Sequence, residues 1–211
     1  MKNIRREISI WVQCGAFVLI WIGVLYISGV AFQINWEALR TIPEVIAIYS
    51  ILHLIFTRWA WRLRIFQHWL VPYPDLQGTW VGTLESTWVN PNTGKRIEPI
   101  PILLTIRQTF SSISCTMYSN ESSSYSNAAQ INADEDGGSL RLSYSYTNRP
   151  RATVRDRSEI HDGAASLGII TKPHRKLEGE YWTSRKTTGD IRAAFKSREL
   201  AGGLSQPDQT A

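Results

Sequence analysis

The sequence predicts a membrane-spanning α-helical hairpin of two transmembrane helices followed by an all-β domain, an eight-stranded up-and-down antiparallel β-barrel. Three observations carry that expectation. The 29 residues from Ile8 to Trp36 contain no Asp, Glu, Lys or Arg. A second, shorter apolar stretch follows at 42–56. From Tyr73 onward the chain breaks into short alternating runs punctuated by Gly, Pro, Asn and Asp.

The middle of the first run, Trp11–Phe32, is 22 residues of mostly apolar side chains. At ~1.5 Å per residue a helix of that length crosses a ~30 Å hydrocarbon core, and a helix satisfies its own backbone polar groups there. A core helix of a soluble domain should show a polar face; this run shows none. The second stretch, Thr41–Thr57, is 17 residues, the lower limit for a crossing. Pro43 suits a helix start. Continuation through Arg58–Arg64 would add reach, because arginine stems snorkel and Trp59, Trp61 and Trp69 suit an interface. Glu44 lies near one interface, where water solvates it; His53, about two turns further in, is a candidate for contact with a neighbouring helix or a pore. Lys2, Arg5 and Arg6 precede the first helix and Arg58, Arg62 and Arg64 follow the second, whereas the loop Gln33–Thr41 holds only Arg40 beside Glu37. That bias predicts a multi-pass region over 1–71 with both termini cytoplasmic. Gly29-Val30-Ala31 could pass for a signal-peptide cleavage site, but the apolar core is too long and a stop-transfer pattern follows.

The chain carries a formal charge of +5. Residues 1–71 hold seven Lys/Arg against three Glu, so residues 72–211 are close to neutral at +1. Binding of a DNA or RNA polymer, which needs many phosphate-neutralising charges, is therefore not expected. Cys14 and Cys115 make neither a disulfide framework nor a metal cluster.

Residues 72–198 read as eight strands: 79–87, 100–110, 112–119, 122–133, 140–148, 160–171, 176–184 and 189–196, with turn signals between them. Short connections favour antiparallel neighbours. Trp80/Leu84, Ile100/Ile102/Leu104/Ile106, Ile113/Cys115/Met117, Leu140/Leu142/Tyr144/Tyr146, Leu177/Tyr181 and Ile191/Ala193/Phe195 each share one face of a strand, and the opposite faces are mostly polar. One face in and one out favours a small barrel, filled by side chains or holding one small ligand, over a sandwich. Gly78-Thr79-Trp80 resembles the opening of the lipocalin first strand, where Trp closes the barrel base. The acidic triplet Asp134–Asp136 reads as a solvated hairpin tip. Residues 199–211 read as a disordered tail.

No Walker A, dinucleotide loop, Gly-x-Ser-x-Gly or zinc spacing is present, so no catalytic residue, metal or cofactor is assigned. A membrane hydrolase using His161 or His174 is a minor rival. A binding set is better supported. Tyr144, Tyr146 and Asn148 share one strand face, and Tyr181, Thr183, Arg185 and Thr187 share one face of an extended segment. Aromatic, hydroxyl and guanidinium in that order could stack a base and hold a phosphate. The same pattern equally describes tyrosines in the barrel core with hydroxyls at the rim. Arg107, near a strand end, is a further basic candidate, with Ser122–Ser126 opposite.

Pro74-Asp-Leu-Gln-Gly-Thr-Trp80 with Gly82, the Ser/Tyr run 122–126, Leu142–Asn148, His161-Asp-Gly163 with Leu167, and Leu177–Thr183 with Arg185, Thr187 and Gly189 follow the two apolar helices in order. Together they resemble the SMODS-associated two-transmembrane, β-strand-rich effectors of the anti-phage systems called CBASS. The resemblance implies a lipocalin-like barrel that senses a cyclic oligonucleotide second messenger, of cyclic dinucleotide type, made by a cGAS-like nucleotidyltransferase. It also implies helices that homo-oligomerise in the bacterial inner membrane, disrupt the lipid bilayer and kill the infected cell. Gly15, Ala16, Gly23, Ser28 and Gly29 would let helices approach closely. The alternative is a membrane-tethered lipocalin-like carrier of an apolar small molecule, which requires a dry cavity.

Overall fold

A computed structural model describes residues 6–33, 35–67, 69–133 and 139–203. Lys2, Arg5, the acidic tip at 134–136 and the tail beyond 203 lie outside the described residues. The chain divides into two compact units, Met1–Pro74 and Asp75–Ala211, three residues beyond the boundary read from composition.

The first unit contains α1 (Arg6–Ile27), α2 (Trp36–Arg40) and α3 (Ile42–Arg58). The stretch Ile10–Ile27 of α1 is long and apolar enough to cross a membrane, and only 11% of it is buried, unlike the core helix of a soluble domain. It ends in a Schellman motif: Gly29 takes φ +65°, its N–H bonds the Tyr26 carbonyl, and the Val30 N–H reaches the Leu25 carbonyl at 3.0 Å. The small residues at 29–31 thus have a structural role as a helix stop. The region expected to be a plain loop includes α2, capped by the Asn35 side chain accepting from the Ala38 N–H at 2.8 Å. Pro43 lies in the first turn of α3, as its missing N–H suits. Trp21 Nε1–H donates to Thr41 Oγ1 at 3.1 Å, and Phe17 meets Tyr49 edge-on at 6.2 Å, so α1 and α3 run antiparallel. His53 stacks on Tyr49. The helix does not continue to Arg64 as expected. It stops at Arg58, and two 3-10 turns, Ala60–Arg62 and Arg64–Phe66, bring Phe66 back to 5.2 Å from Phe56.

The second unit is the barrel: β1 (Gly78–Ser86), β2 (Ile100–Gln108), β3 (Ile113–Tyr118), β4 (Ser122–Ala133), β5 (Leu140–Pro150), β6 (His161–Ile170), β7 (Lys176–Thr183) and β8 (Thr188–Ser197). Each strand pairs antiparallel with its successor, and β8 pairs with β1. All six predicted apolar faces point inward. Trp80, Ile102, Leu104, Ile106, Leu142, Leu167, Leu177 and Ile191 are at most 1% exposed, so among the described residues the interior is occupied by side chains where an apolar carrier would need room.

The end at which β1 begins is a sealed base. Leu76 tucks under the barrel, its N–H bonded to the Gln108 Oε1 at 2.6 Å and its carbonyl accepting from Trp80 Nε1–H at 3.0 Å. Phe195 meets Trp80 edge-on at 5.3 Å. The Arg175 guanidinium lies 3.9 Å from the Phe195 centroid and 5.2 Å from that of Trp80 and donates to the Asp75 carbonyl; the Asp75 carboxylate takes Arg198 at 2.9 Å. The Asp75-to-Trp80 motif is therefore a plug. The tail begins later than expected: Thr105 Oγ1 donates to the Ala201 carbonyl, and Thr79 Oγ1 accepts from the Ala201 N–H, so residues 199–201 are fastened outside β1 and β2. Replacing Trp80 with Ala should lower stability by about 3–5 kcal/mol, read as a shifted denaturant midpoint of the full chain; an unchanged midpoint contradicts the plug.

Candidate functional site

Odd strands finish, and even strands start, at the end opposite the base. Alternation then decides which side chains turn into this rim: Ser86, Ser124, Tyr146, Asn148, His161, Tyr181 and Thr183. The predicted residues Tyr144, Tyr146, Asn148, Tyr181, Thr183, Arg185 and Thr187 all lie at this end or in the layers just beneath it.

Their arrangement differs from the stacking platform that the spacing suggested. Tyr144, Tyr146 and Tyr181 are only 4%, 3% and 5% exposed, so no ring face is open to a base. Two glycines explain how the rings are seated. A Cβ on Gly163 would come 2.6 Å from the Tyr146 ring and hydroxyl, and one on Gly189 would come 2.7 Å from the Tyr181 ring. Each ring lies against bare backbone of a neighbouring strand. Tyr144 sits deepest, near Cys115, its hydroxyl without a hydrogen-bond partner among the described residues. Burial pushes its phenol well above the ordinary value, with Cys115 and Tyr146 adding to the shift. Burial also raises Tyr146, to about 12. The Tyr181 hydroxyl bonds Ser86, which offsets part of the rise that burial causes. All three phenols are neutral donors at physiological pH. Asn148 Oδ1 accepts from Ser124 Oγ at 2.9 Å.

The segment expected to run extended past Thr183 is instead a tight hairpin. The Lys186 N–H returns to the Thr183 carbonyl at 3.0 Å and the Thr183 N–H bonds the Thr187 carbonyl at 2.9 Å. Lys186 takes φ +63°, as a three-residue loop with a left-handed third position requires. The turn lifts Arg185 to the rim edge. There its Nη1 donates to Ser158 Oγ at 3.3 Å and its Nη2 to His161 Nε2 at 3.4 Å. His161 Nδ1 lies 2.8 Å from the Glu159 carbonyl, which requires the proton on Nδ1 and leaves Nε2 as the acceptor. The histidine, named from sequence in the rival hydrolase reading, is a positioning residue for Arg185. Arg107 does not join this set. It pairs with Ser114 at the base end of β2, and because Gln108 next to it points inward, Arg107 faces out.

The sequence reading overlooked the β5–β6 connection. Arg149, Arg151, Arg155 and Arg157 fall within nine residues, and all sit at the rim. Arg157 pairs with Glu121, Arg155 Nε donates to the Pro150 carbonyl, and the Arg151 N–H ties the segment to the Glu121 carbonyl. Arg149, Arg151, Arg155, Arg157 and Arg185 thus lie at the rim, while Arg107, Arg175 and Arg198 stand at the base. The signal was the arginine spacing, which net charge averages away.

A closed barrel with a packed interior, a plugged base and a rim that carries arginines and hydroxyls leaves the rim as the candidate binding end. Comparison with known proteins gives the class of the barrel. Residues 71–194 match the family described as "Cap15, cyclic dinucleotide receptor domain". The chain is similar to CD-NTase-associated protein 15 of Staphylococcus schleiferi, 26% identical over 175 residues that cover 83% of this chain and 88% of that protein. It is also similar to CD-NTase-associated protein 15 of Escherichia albertii, 27% identical over 149 residues covering 70% and 73%. The chain belongs to the Cap15 cyclic dinucleotide receptor family of CBASS effectors.

Burial, and secondarily Arg185, holds the His161 imidazole below its ordinary value of 6.5. Below that pH the unfolded chain binds a proton that the folded chain refuses, so stability falls as pH drops through 6.5 toward the folded value. The melting temperature should fall more between pH 7.5 and 5.5 for the parent than for His161→Gln; equal losses would remove His161 as the source. Gly163→Ala should cost about 1–3 kcal/mol through its clash with Tyr146 and with the Trp182 carbonyl, seen as an earlier thermal transition and a changed near-UV tyrosine signal.

Proposed function

We propose that a cyclic dinucleotide, made by a cGAS-like nucleotidyltransferase, docks across the rim, and that the chain works by binding rather than by catalysis. Its phosphates meet Arg185 and the arginines of the β5–β6 connection. Its bases lie over the hydroxyl-bearing edge formed by Tyr146, Tyr181 and Thr183, with Asn148 and Ser124 supplying directional hydrogen bonds. Charge-assisted contacts of this kind are the stronger hydrogen bonds, and two phosphates need only a few of them. The observation that carries the reading is the Arg185 guanidinium, held by Ser158 and by a neutral His161 at the rim of the barrel.

In this proposal α1 and α3 both cross the inner membrane with the termini and barrel on the cytoplasmic side. Ligand binding favours a homo-oligomeric state in which the helices disrupt the bilayer, killing the infected cell. A ligand at one hundred times its Kd supplies ~2.7 kcal/mol per site, so the two states must lie within a few kcal/mol of each other. The open face of α1 and the exposed His53 on α3 offer surface for such assembly.

The detergent-solubilised full chain should gain thermal stability with at least one member of a cyclic di- and trinucleotide panel. Arg185→Ala should weaken that ligand by ~10-fold or more, equivalent to ~1.4 kcal/mol, and Arg107→Ala should leave affinity unchanged. No shift across the panel, or equal losses for the two arginines, contradicts the rim site. Reconstituted into dye-loaded vesicles, the chain should release dye only when that nucleotide is added.

A further inference from the structure

The segment 59–71, between α3 and the barrel unit, is folded, with Trp61, Leu70 and Val71 buried. The Arg62 guanidinium stacks 4.6 Å from the Trp61 ring centroid and its Nη1 donates to the Arg58 carbonyl at 3.0 Å. Gln67 Nε2–H donates to the Arg62 carbonyl, Phe66 packs on Phe56 and Trp69, and Gln67 bridges to Val71. Around this frame Trp59 is 68% exposed, Leu63 56%, Ile65 70% and Trp69 49%. A water-borne linker has no reason to hold four large apolar side chains outward. Charge gives the second observation. From Val45 to Pro74 there is no Asp or Glu, whereas Arg58, Arg62 and Arg64 fall within seven residues. Arg62 is engaged inside the segment, while Arg58 and Arg64 are exposed. Exposed Trp and Leu beside outward arginines, continuous with an apolar helix, match the headgroup layer of a membrane, where indole rings and snorkelling guanidinium groups settle.

We propose that Trp59–Val71 is an in-plane collar that lies in the headgroup layer of a leaflet containing anionic phospholipid. Trp59, Leu63, Ile65 and Trp69 enter the apolar boundary and Arg58 and Arg64 meet lipid phosphates. This rests on the reading that α1 and α3 are inserted in the bilayer. The collar accounts for the abrupt end of α3 at Arg58. A helix continuing along the same axis would carry Leu63 and Ile65 out into water, and the two 3-10 turns instead keep them at the boundary. Lipid charge is recognised through two exposed guanidinium groups with no carboxylate in their stretch of sequence, a pattern that anionic headgroups attract.

The test uses the full chain with Cys14→Ser, reconstituted in vesicles of phosphatidylethanolamine and phosphatidylglycerol. Nitroxide labels are placed at Ile65→Cys or Trp69→Cys, with Leu19→Cys in α1 and Thr93→Cys in the exposed β1–β2 loop as references. Collision with oxygen and with a water-soluble nickel chelate reads the depth of each label. Labels at 65 and 69 should be open to oxygen and severalfold less open to nickel than the label at 93. That protection should diminish in phosphatidylcholine alone and with Arg58→Gln and Arg64→Gln together. Full nickel access at 65 and 69 while 19 stays lipid-exposed overturns the collar alone. Exclusion of both reagents overturns it in favour of a protein contact, and unchanged depth in phosphatidylcholine and in the double variant overturns the anionic assignment. Nickel access at 19 as well removes the membrane reading together with the collar.

Discussion

Closure of the sheet is the constraint on which the barrel unit depends. Once β8 pairs with β1, no strand edge is left to extend, and the interior has a set size that side chains must fill. Trp80 and the aliphatic layers above it fill the lower part, and the Asp75–Gln77 plug closes the bottom. The upper part falls to Tyr144, Tyr146 and Tyr181. The rings of Tyr146 and Tyr181 fit because Gly163 and Gly189 remove the side chains they would otherwise strike. Filling the barrel in this way takes the aromatic faces out of reach and leaves hydroxyls, an amide and a guanidinium as the groups a ligand can meet.

The two arginines singled out from sequence show how closure partitions function. Arg107 and Arg185 each sit near a strand end, and both carry the same chemistry. β2 ends at the sealed base and faces Arg107 outward, whereas the β7–β8 hairpin raises Arg185 at the open rim beside the β5–β6 arginines. The near-neutral total of the domain hides this separation of charge. Charges are felt mainly within a Debye length of about 8 Å, so in the proposed rim site a ligand would meet the local arginines and not the domain average.

His161 adds a less visible element. Its imidazole makes no demand on a ligand; with Nδ1 committed to the Glu159 carbonyl, Nε2 is left to accept from Arg185. A cation oriented before the ligand arrives loses less side-chain freedom on binding. The positive arginine helps keep the histidine neutral, since it disfavours a second positive charge beside it.

Period and length were legible in the amino-acid order. An uncharged run sets a membrane-length helix, and two-residue alternation with turn residues between sets eight strands and their inward faces, because both signals are local consequences of backbone geometry. Gly78-Thr79-Trp80 marked the base through its resemblance to the lipocalin first strand. What needed the folded chain was everything that depends on partners distant in sequence. The short α2, the break after Arg58 and the fastening of residues 199–201 arise from packing between separated segments. The burial of Tyr146 and Tyr181 depends on glycines of neighbouring strands, the pairing of His161 with Arg185 spans a hairpin, and the opposite fates of Arg107 and Arg185 depend on which end of the barrel is plugged. One strand's pattern tells in from out, but only the closed set of eight tells top from bottom.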